Sequence, residues 1–138
     1  MASKTLYFPD IKNGWYVSYF FQTIAGYSYI VTLQENDTGH NYDIWKKPND
    51  GADPAIRYSN SFLYTGSDGK LICTIDSPES NRLDNTWSES IITPSSGEKT
   101  LGRSYFAAFE DNGGILEYCN LYVCLIGAHI AGTVEIKQ

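Results

Sequence analysis

The chain has 138 residues and a formal net charge of −6. This length suits one domain rather than two, and the charge argues against nucleic-acid binding, which needs a basic surface. The sequence has no run of about 18 apolar residues, so it predicts no membrane-spanning helix.

Alternation of apolar and polar residues runs through most of the chain, and helical periodicity is almost absent. Residues 14–23 and 27–34 alternate most clearly, with Trp15 on the apolar face of the first segment. The connection between these segments is short, so the pattern predicts that they pair as a hairpin. Residues 41–45 form a further predicted strand, and the Pro- and Gly-containing residues 46–54 are a predicted loop.

The second half of the chain continues the same pattern. Predicted strands cover residues 70–76, 86–92, 103–109 and 118–126. Trp87 lies in one of them and is expected to pack in the core, as is Trp15. About nine or ten short strands, separated by turn residues every 8–14 positions or so, are typical of an all-β fold. We therefore expect one domain over residues 1–138, an antiparallel β-sandwich of Greek-key type.

An acidic loop joins the last two long predicted strands. Carboxylates and amides crowd around Gly113-Gly114: Glu110, Asp111, Asn112, Glu117 and Asn120. Calcium takes about six to eight oxygen ligands of this kind, and glycine lets a backbone fold around an ion. The alternative is a solvated turn, because Asp, Asn and Gly are also good hairpin residues.

The order of these features resembles the small bacterial lectins that bind fucose or mannose through two calcium ions. The stretch "LYFPDIKNGWYVSYFFQTIAGYSYIVTLQEN" is similar to their N-terminal layout, and "GSDGKLICTID" is similar to their Ser-Gly-Lys strand. Residues 110–125 resemble their acidic loop and the strand after it. The resemblance spans roughly residues 6–126 and implies a β-sandwich that binds fucose- or mannose-type glycans as a homodimer or higher homo-oligomer.

The calcium ligands implied by the resemblance are incomplete in this sequence. They fall on Glu110, Glu117 and Asn120, and also on Ile115 and Cys119, which cannot ligate calcium. Three carboxylates remain in the loop where a two-calcium site relies on four or five. Since calcium affinity falls with ligand charge, we expect one weak calcium site or none.

Sugar recognition without a metal uses an aromatic ring for the apolar sugar face and polar side chains for the hydroxyls. The candidate ligand-binding residues are Gln22, Thr23, Asp111 and Asn112, with Tyr118 or Trp45 as the aromatic platform. The leading hypothesis is a non-enzymatic, lectin-like protein with weakened or absent calcium dependence.

Two other functions are open from the sequence. The first is an assembly or structural β-sandwich that has lost sugar binding, with residues 131–138 pairing against a second protomer. The second is an enzyme, which we do not expect, because neither His40 nor His129 neighbours a nucleophile motif. No secretory signal is visible, and an odd number of cysteines favours free thiols. The expected location is therefore cytoplasmic, with non-classical release as the alternative.

Overall fold

The computed structural model describes residues 1–24, 26–49, 56–93, 100–111 and 118–129, and in these ranges it contains strands, turns and loops but no helix. The described strands are β1 (Ala2–Phe8), β2 (Trp15–Thr23), β3 (Tyr29–Glu35), β4 (Asn41–Lys47), β5 (Ile56–Leu63), β6 (Leu71–Ser77), β7 (Asp84–Asn85), β8 (Ser88–Ile92), β9 (Gly102–Glu110) and β10 (Leu121–His129). A search of these same ranges for a helix able to cross a membrane finds none.

The strands form two antiparallel sheets. The four-stranded sheet has the order β1-β6-β3-β4, and the six-stranded sheet has the order β5-β2-β10-β9, with β7 and β8 both paired to the free edge of β9. The apolar faces of the two sheets pack against each other around one cluster of buried side chains. The predicted all-β class and antiparallel β-sandwich are confirmed.

Strict alternation in the central strands builds this core. In β2 the inward residues are Trp15, Val17, Tyr19, Phe21 and Thr23, and every one of them is buried while their neighbours are exposed or half-buried. The apolar residues facing them across the sandwich belong to β3 and β6: Tyr29, Val31, Leu33, Leu71, Cys73 and Ile75. The faces predicted from the alternation of residues 14–23, 27–34 and 70–76 are therefore confirmed.

The predicted hairpin between β2 and β3 is wrong. These strands lie in different sheets: β2 pairs with β5 and β10, whereas β3 pairs with β4 and β6. The short connection therefore crosses from one sheet to the other, so that the apolar faces of both strands meet across the core instead of lying side by side. Crossing between sheets satisfies the same hydrophobic pattern as a hairpin, because both place alternate residues in the core.

The two tryptophans predicted to be buried behave differently. Trp15 is in the core, but the Trp87 side chain is 41% exposed. Trp87 lies between β7 and β8 at the edge of the six-stranded sheet, where one side of its ring packs against Phe8 and Tyr105 and the other side faces solvent. The expectation of a core position for Trp87 is therefore wrong, because an inward-facing residue on an edge strand has a neighbouring strand on one side only.

Candidate functional site

Three strand ends meet at one end of the six-stranded sheet, which we call the loop end: the end of β2, the end of β9 and the start of β10. The backbone N–H of Asn120 donates to the backbone carbonyl of Phe109 (2.9 Å). The backbone N–H of Ile24 donates to the backbone carbonyl of Asn120 (3.2 Å). The Asn120 side-chain oxygen accepts a hydrogen bond from the Asp111 N–H (3.0 Å). Asn120 therefore ties the two strands that flank the acidic loop to the end of β2.

The predicted ligand-binding residues that the structure describes all lie at the loop end. Gln22 is half-buried on the outer face of β2, whereas Thr23 and Asp111 are buried. Within the described part of the chain, the buried Thr23 hydroxyl has no hydrogen-bond partner. The fourth predicted residue, Asn112, lies outside the described residues.

Of the predicted metal ligands, Glu110 and Asn120 are also at the loop end. Glu110 is the last residue of β9, where it pairs with Asp84 of β7, and it is half-buried. Glu117 lies outside the described residues, as does Ile115. The strand ends that carry these residues are therefore adjacent, while the side chains of Gln22 and Thr23 lie on opposite faces of β2.

A lysine from the other sheet reaches the same place. Lys47, the last residue of β4, is only 2% exposed. Its ammonium group donates to the backbone carbonyls of Gly26 (3.1 Å) and Tyr27 (2.9 Å). Its positive charge also acts on the Asp111 carboxylate. A buried cation therefore lies beside the acidic loop, held by the connection between β2 and β3.

Tyr29 completes this buried polar group, which we call the Lys47 cluster: Lys47, Tyr29 and Asp111. The Tyr29 hydroxyl donates a hydrogen bond to an Asp111 carboxylate oxygen. Burial raises the pKa of the Asp111 carboxyl, and the charge of Glu110 raises it further, while the Tyr29 hydrogen bond and the charge of Lys47 act in the opposite direction. Burial also raises the pKa of the Tyr29 hydroxyl well above its usual range. One hydrogen bond, from Tyr29 to Asp111, and the charge of Lys47 on Asp111 therefore join the two sheets below the loop end.

The described oxygen ligands at the loop end already make hydrogen bonds within the protein. The Asp111 carboxylate accepts the Tyr29 hydroxyl, and the Asn120 side-chain oxygen accepts a backbone N–H. The Lys47 ammonium, which would repel a second cation, already acts on Asp111. Across the described ranges, no group of three or more His, Cys, Asp or Glu side chains is arranged to hold a metal.

Sequence reasoning missed Lys47 and Tyr29 as parts of this site. The alternation predicts the position of Tyr29 on the apolar face correctly but names no partner for its hydroxyl. The sequence predicts a loop at Lys47, although alternation through "NYDIWKK" puts Asp43, Trp45 and Lys47 on one face of β4. Extending the predicted strand by two residues would have put the lysine on the inward side.

The aromatic candidates have different surroundings. Trp45 stacks its ring against Phe21 and Tyr58, each with ring centroids 5.8 Å away. Packing between β4, β2 and β5 therefore accounts for the position of Trp45. Tyr118, close to the loop end, is half-buried and has a φ of 53°, the left-handed region that side chains other than glycine seldom adopt.

Sequence comparisons give no match: no protein-family model matches this chain, and no curated protein matches it at a significant level.

Solved structures do match the fold. A high-affinity mannose-binding lectin of Ralstonia solanacearum has a TM-score of 0.56 and 10% sequence identity, with 88% of this chain and 93% of that chain covered. The C-terminal domain of a Burkholderia cenocepacia lectin has a TM-score of 0.52 and 12% identity, with 88% and 92% covered. A Chromobacterium violaceum lectin in complex with alpha-methyl-fucoside gives 0.47 and 10%, with 88% and 93% covered. At these identities the likeness is one of fold, and the chain is a β-sandwich similar to those of bacterial lectins.

Proposed function

We propose that this protein is a non-enzymatic, carbohydrate-binding protein of the lectin type. The observation that carries the proposal is a sandwich similar to a mannose-binding lectin over 88% of the chain, with Gln22 half-buried on the outer face of its loop end and Thr23 and Asp111 buried on the inner side. Amide, hydroxyl and carboxylate groups are the side chains that hydrogen-bond sugar hydroxyls. The ligand class that we propose is a fucose- or mannose-type glycan.

We also propose that calcium binds weakly, at one site, or not at all. The support for this is the Lys47 cluster, in which an ammonium group supplies the positive charge beside Asp111 and a tyrosine hydroxyl occupies a carboxylate oxygen. Such a cluster links the two sheets through protein groups alone. Sugar binding would then rest on hydrogen bonds from the protein itself.

A glycan array tests both statements. The array is read with calcium and again with chelator, and we expect fucosides or mannosides to bind in both conditions. Replacing Gln22 with alanine is expected to weaken this binding about tenfold, the effect of one lost hydrogen bond to the ligand. The matched control is Gln34→Ala, a half-buried glutamine in β3 of the other sheet, which should leave binding unchanged. If no sugar binds in either condition, the proposal of carbohydrate binding is refuted. If sugars bind only with calcium, the proposal of weak or absent calcium dependence is refuted.

A second candidate function is assembly, and the outer face of the six-stranded sheet favours it. Tyr16, Phe106 and Ile126 on this face are 47%, 38% and 46% exposed. The strand register places Cys124 between Phe20 and Phe106. Among the described strands, the centre of this face presents aromatic, aliphatic and serine side chains without a charge. An exposed apolar surface of this kind is typical of a protein–protein interface.

We therefore propose a homodimer formed through this face, and light scattering on a size-exclusion column tests it. The variant Ile126→Glu places a charge in the centre of the face, and we expect it to convert the dimer into a monomer because the charge would be desolvated in the interface. The matched control is Ile44→Glu, at a residue that is 45% exposed on β4 of the other sheet. A monomer before any substitution, or a dimer that persists in Ile126→Glu, would exclude this interface. Residues 131–138, the alternative contact, lie outside the described residues.

A further inference from the structure

A groove of about 390 Å³ opens on the side of the sandwich where β1 of one sheet faces β7 and β8 of the other. This volume is within the range of about 300–1,000 Å³ that is usual for small-molecule sites. The groove is lined by Lys4, Thr5, Leu6, Tyr7, Pro9, Asn85, Trp87 and Glu89. None of these residues belongs to the loop end.

The Trp87 ring forms a fixed wall of the groove. Its centroid is 5.5 Å from that of Tyr105 and 6.1 Å from that of Phe8, both of which are buried. Its indole N–H donates to a Glu89 carboxylate oxygen at 3.3 Å. Phe8 and Tyr105 therefore pack behind the ring and Glu89 fixes its N–H edge, while 41% of the side chain faces solvent. A rigid exposed ring loses little conformational entropy when a ligand stacks on it.

Polar groups of three kinds surround this ring. Glu89 offers carboxylate oxygens, Asn85 offers an amide and Lys4 offers an ammonium group. The other Glu89 oxygen accepts a hydrogen bond from Arg103 at 3.3 Å, which fixes the carboxylate. The groove therefore combines acceptors and donors with an apolar surface, and the charges of Lys4 and Glu89 offset each other, which favours a neutral ligand.

We propose that this groove is a second carbohydrate-binding site, in which a neutral pyranose stacks its C–H face on Trp87 and hydrogen-bonds its hydroxyls to Asn85, Glu89 and Lys4. A sugar has both features in one ring, an apolar face and a rim of hydroxyls that donate and accept. This inference extends the proposed function to a second site, and it needs no metal and no residue of the loop end.

Tryptophan fluorescence tests the proposal on the intact protein, with methyl α-mannoside, methyl α-fucoside and lactose as probes. Of the three tryptophans, Trp15 is buried and Trp45 packs against Phe21 and Tyr58, so acrylamide quenches mainly Trp87. A bound sugar should remove most of this quenching, because Phe8 and Tyr105 already cover one face of the indole ring and the sugar covers the face that is open to solvent. Quenching that stays unchanged with all three sugars at saturating concentration would overturn the proposal.

Calorimetry on variants separates this site from the loop end. Trp87→Ala should abolish the binding heat of the groove, and Asn85→Ala, which leaves the aromatic packing intact, should weaken it about tenfold. The control Ile44→Ala removes an apolar side chain that is 45% exposed on β4 of the other sheet and should have no effect. Binding that survives in Gln22→Ala and is lost in Trp87→Ala supports the groove even if the loop end binds nothing. If Trp87→Ala and Asn85→Ala leave binding unchanged, the groove is not a sugar site, and the proposal for the loop end is unaffected.

Discussion

Replacing Lys47 with methionine is expected to lower the free energy of unfolding by about 1–3 kcal/mol, the usual cost of leaving buried hydrogen-bonding groups without a partner. Lys47 is 2% exposed. Without its ammonium group, the carbonyls of Gly26 and Tyr27 lose a donor and the buried Asp111 loses a nearby positive charge. Urea denaturation at neutral pH measures the change.

Lys46→Met is the matched control. Lys46 is the preceding residue of β4, and its side chain is exposed, so its removal should change the free energy of unfolding by less than about 0.5 kcal/mol. Adding Asp111→Asn to the Lys47→Met variant should restore part of the loss, because the uncompensated charge is then gone. Equal effects of Lys46→Met and Lys47→Met would contradict the role of the Lys47 cluster, and so would strict additivity in the double variant.

Alkaline pH is expected to destabilise this protein steeply. Four tyrosines, Tyr19, Tyr29, Tyr64 and Tyr105, are 5% exposed or less. Burial raises the pKa of each hydroxyl, to about 12 for Tyr105 and further for the other three. In the unfolded chain a tyrosine loses its proton near pH 10. The stability gained from the raised pKa is therefore complete below pH 10 and is lost as pH rises through the folded values.

The expected loss is about 1 kcal/mol per buried tyrosine between pH 10 and 11, or about 4 kcal/mol for the four together. Denaturant unfolding at pH 9, 10 and 11 measures it. Tyr105→Phe should reduce the loss between pH 10 and 11 by about 1 kcal/mol. Tyr7→Phe, at a residue that is 60% exposed, should leave the loss unchanged. A free energy of unfolding that stays constant up to pH 11 would show that these tyrosines ionise as readily in the folded state as in the unfolded one.

The fold class could be predicted from the sequence because alternation reports directly which side chains face the core. The residues expected to be buried in β2, β3 and β6 are buried. Alternation does not report which strand lies beside which, and this is why the hairpin of β2 and β3 was predicted wrongly. The partners of β2 are β5 and β10, and β10 begins about a hundred residues after β2. No local pattern specifies a pairing over that distance.

The candidate site was predicted in part, for a related reason. Thr23, Asp111 and Asn120 were identified because their residue types suit the binding of a sugar or a cation. Lys47 was missed because lysine is almost never fully buried without a partner, and its partners come from other segments of the chain. The prediction of a core position for Trp87 is wrong because Trp87 lies between β7 and β8, two short strands that pair with β9 at the edge of the sheet.

The place of β10 in the six-stranded sheet affects how the chain can fold during synthesis. β10 is the last described strand to be made, yet it lies between β2 and β9 and joins them. Until it emerges from the ribosome, β2 and β9 each have an unpaired edge and uncovered aromatic side chains. Contacts between such distant segments form slowly, and exposed edges are prone to associate with other chains in the meantime. A nascent chain of this protein therefore depends on its C-terminal third to close the sheet that its N-terminal third began.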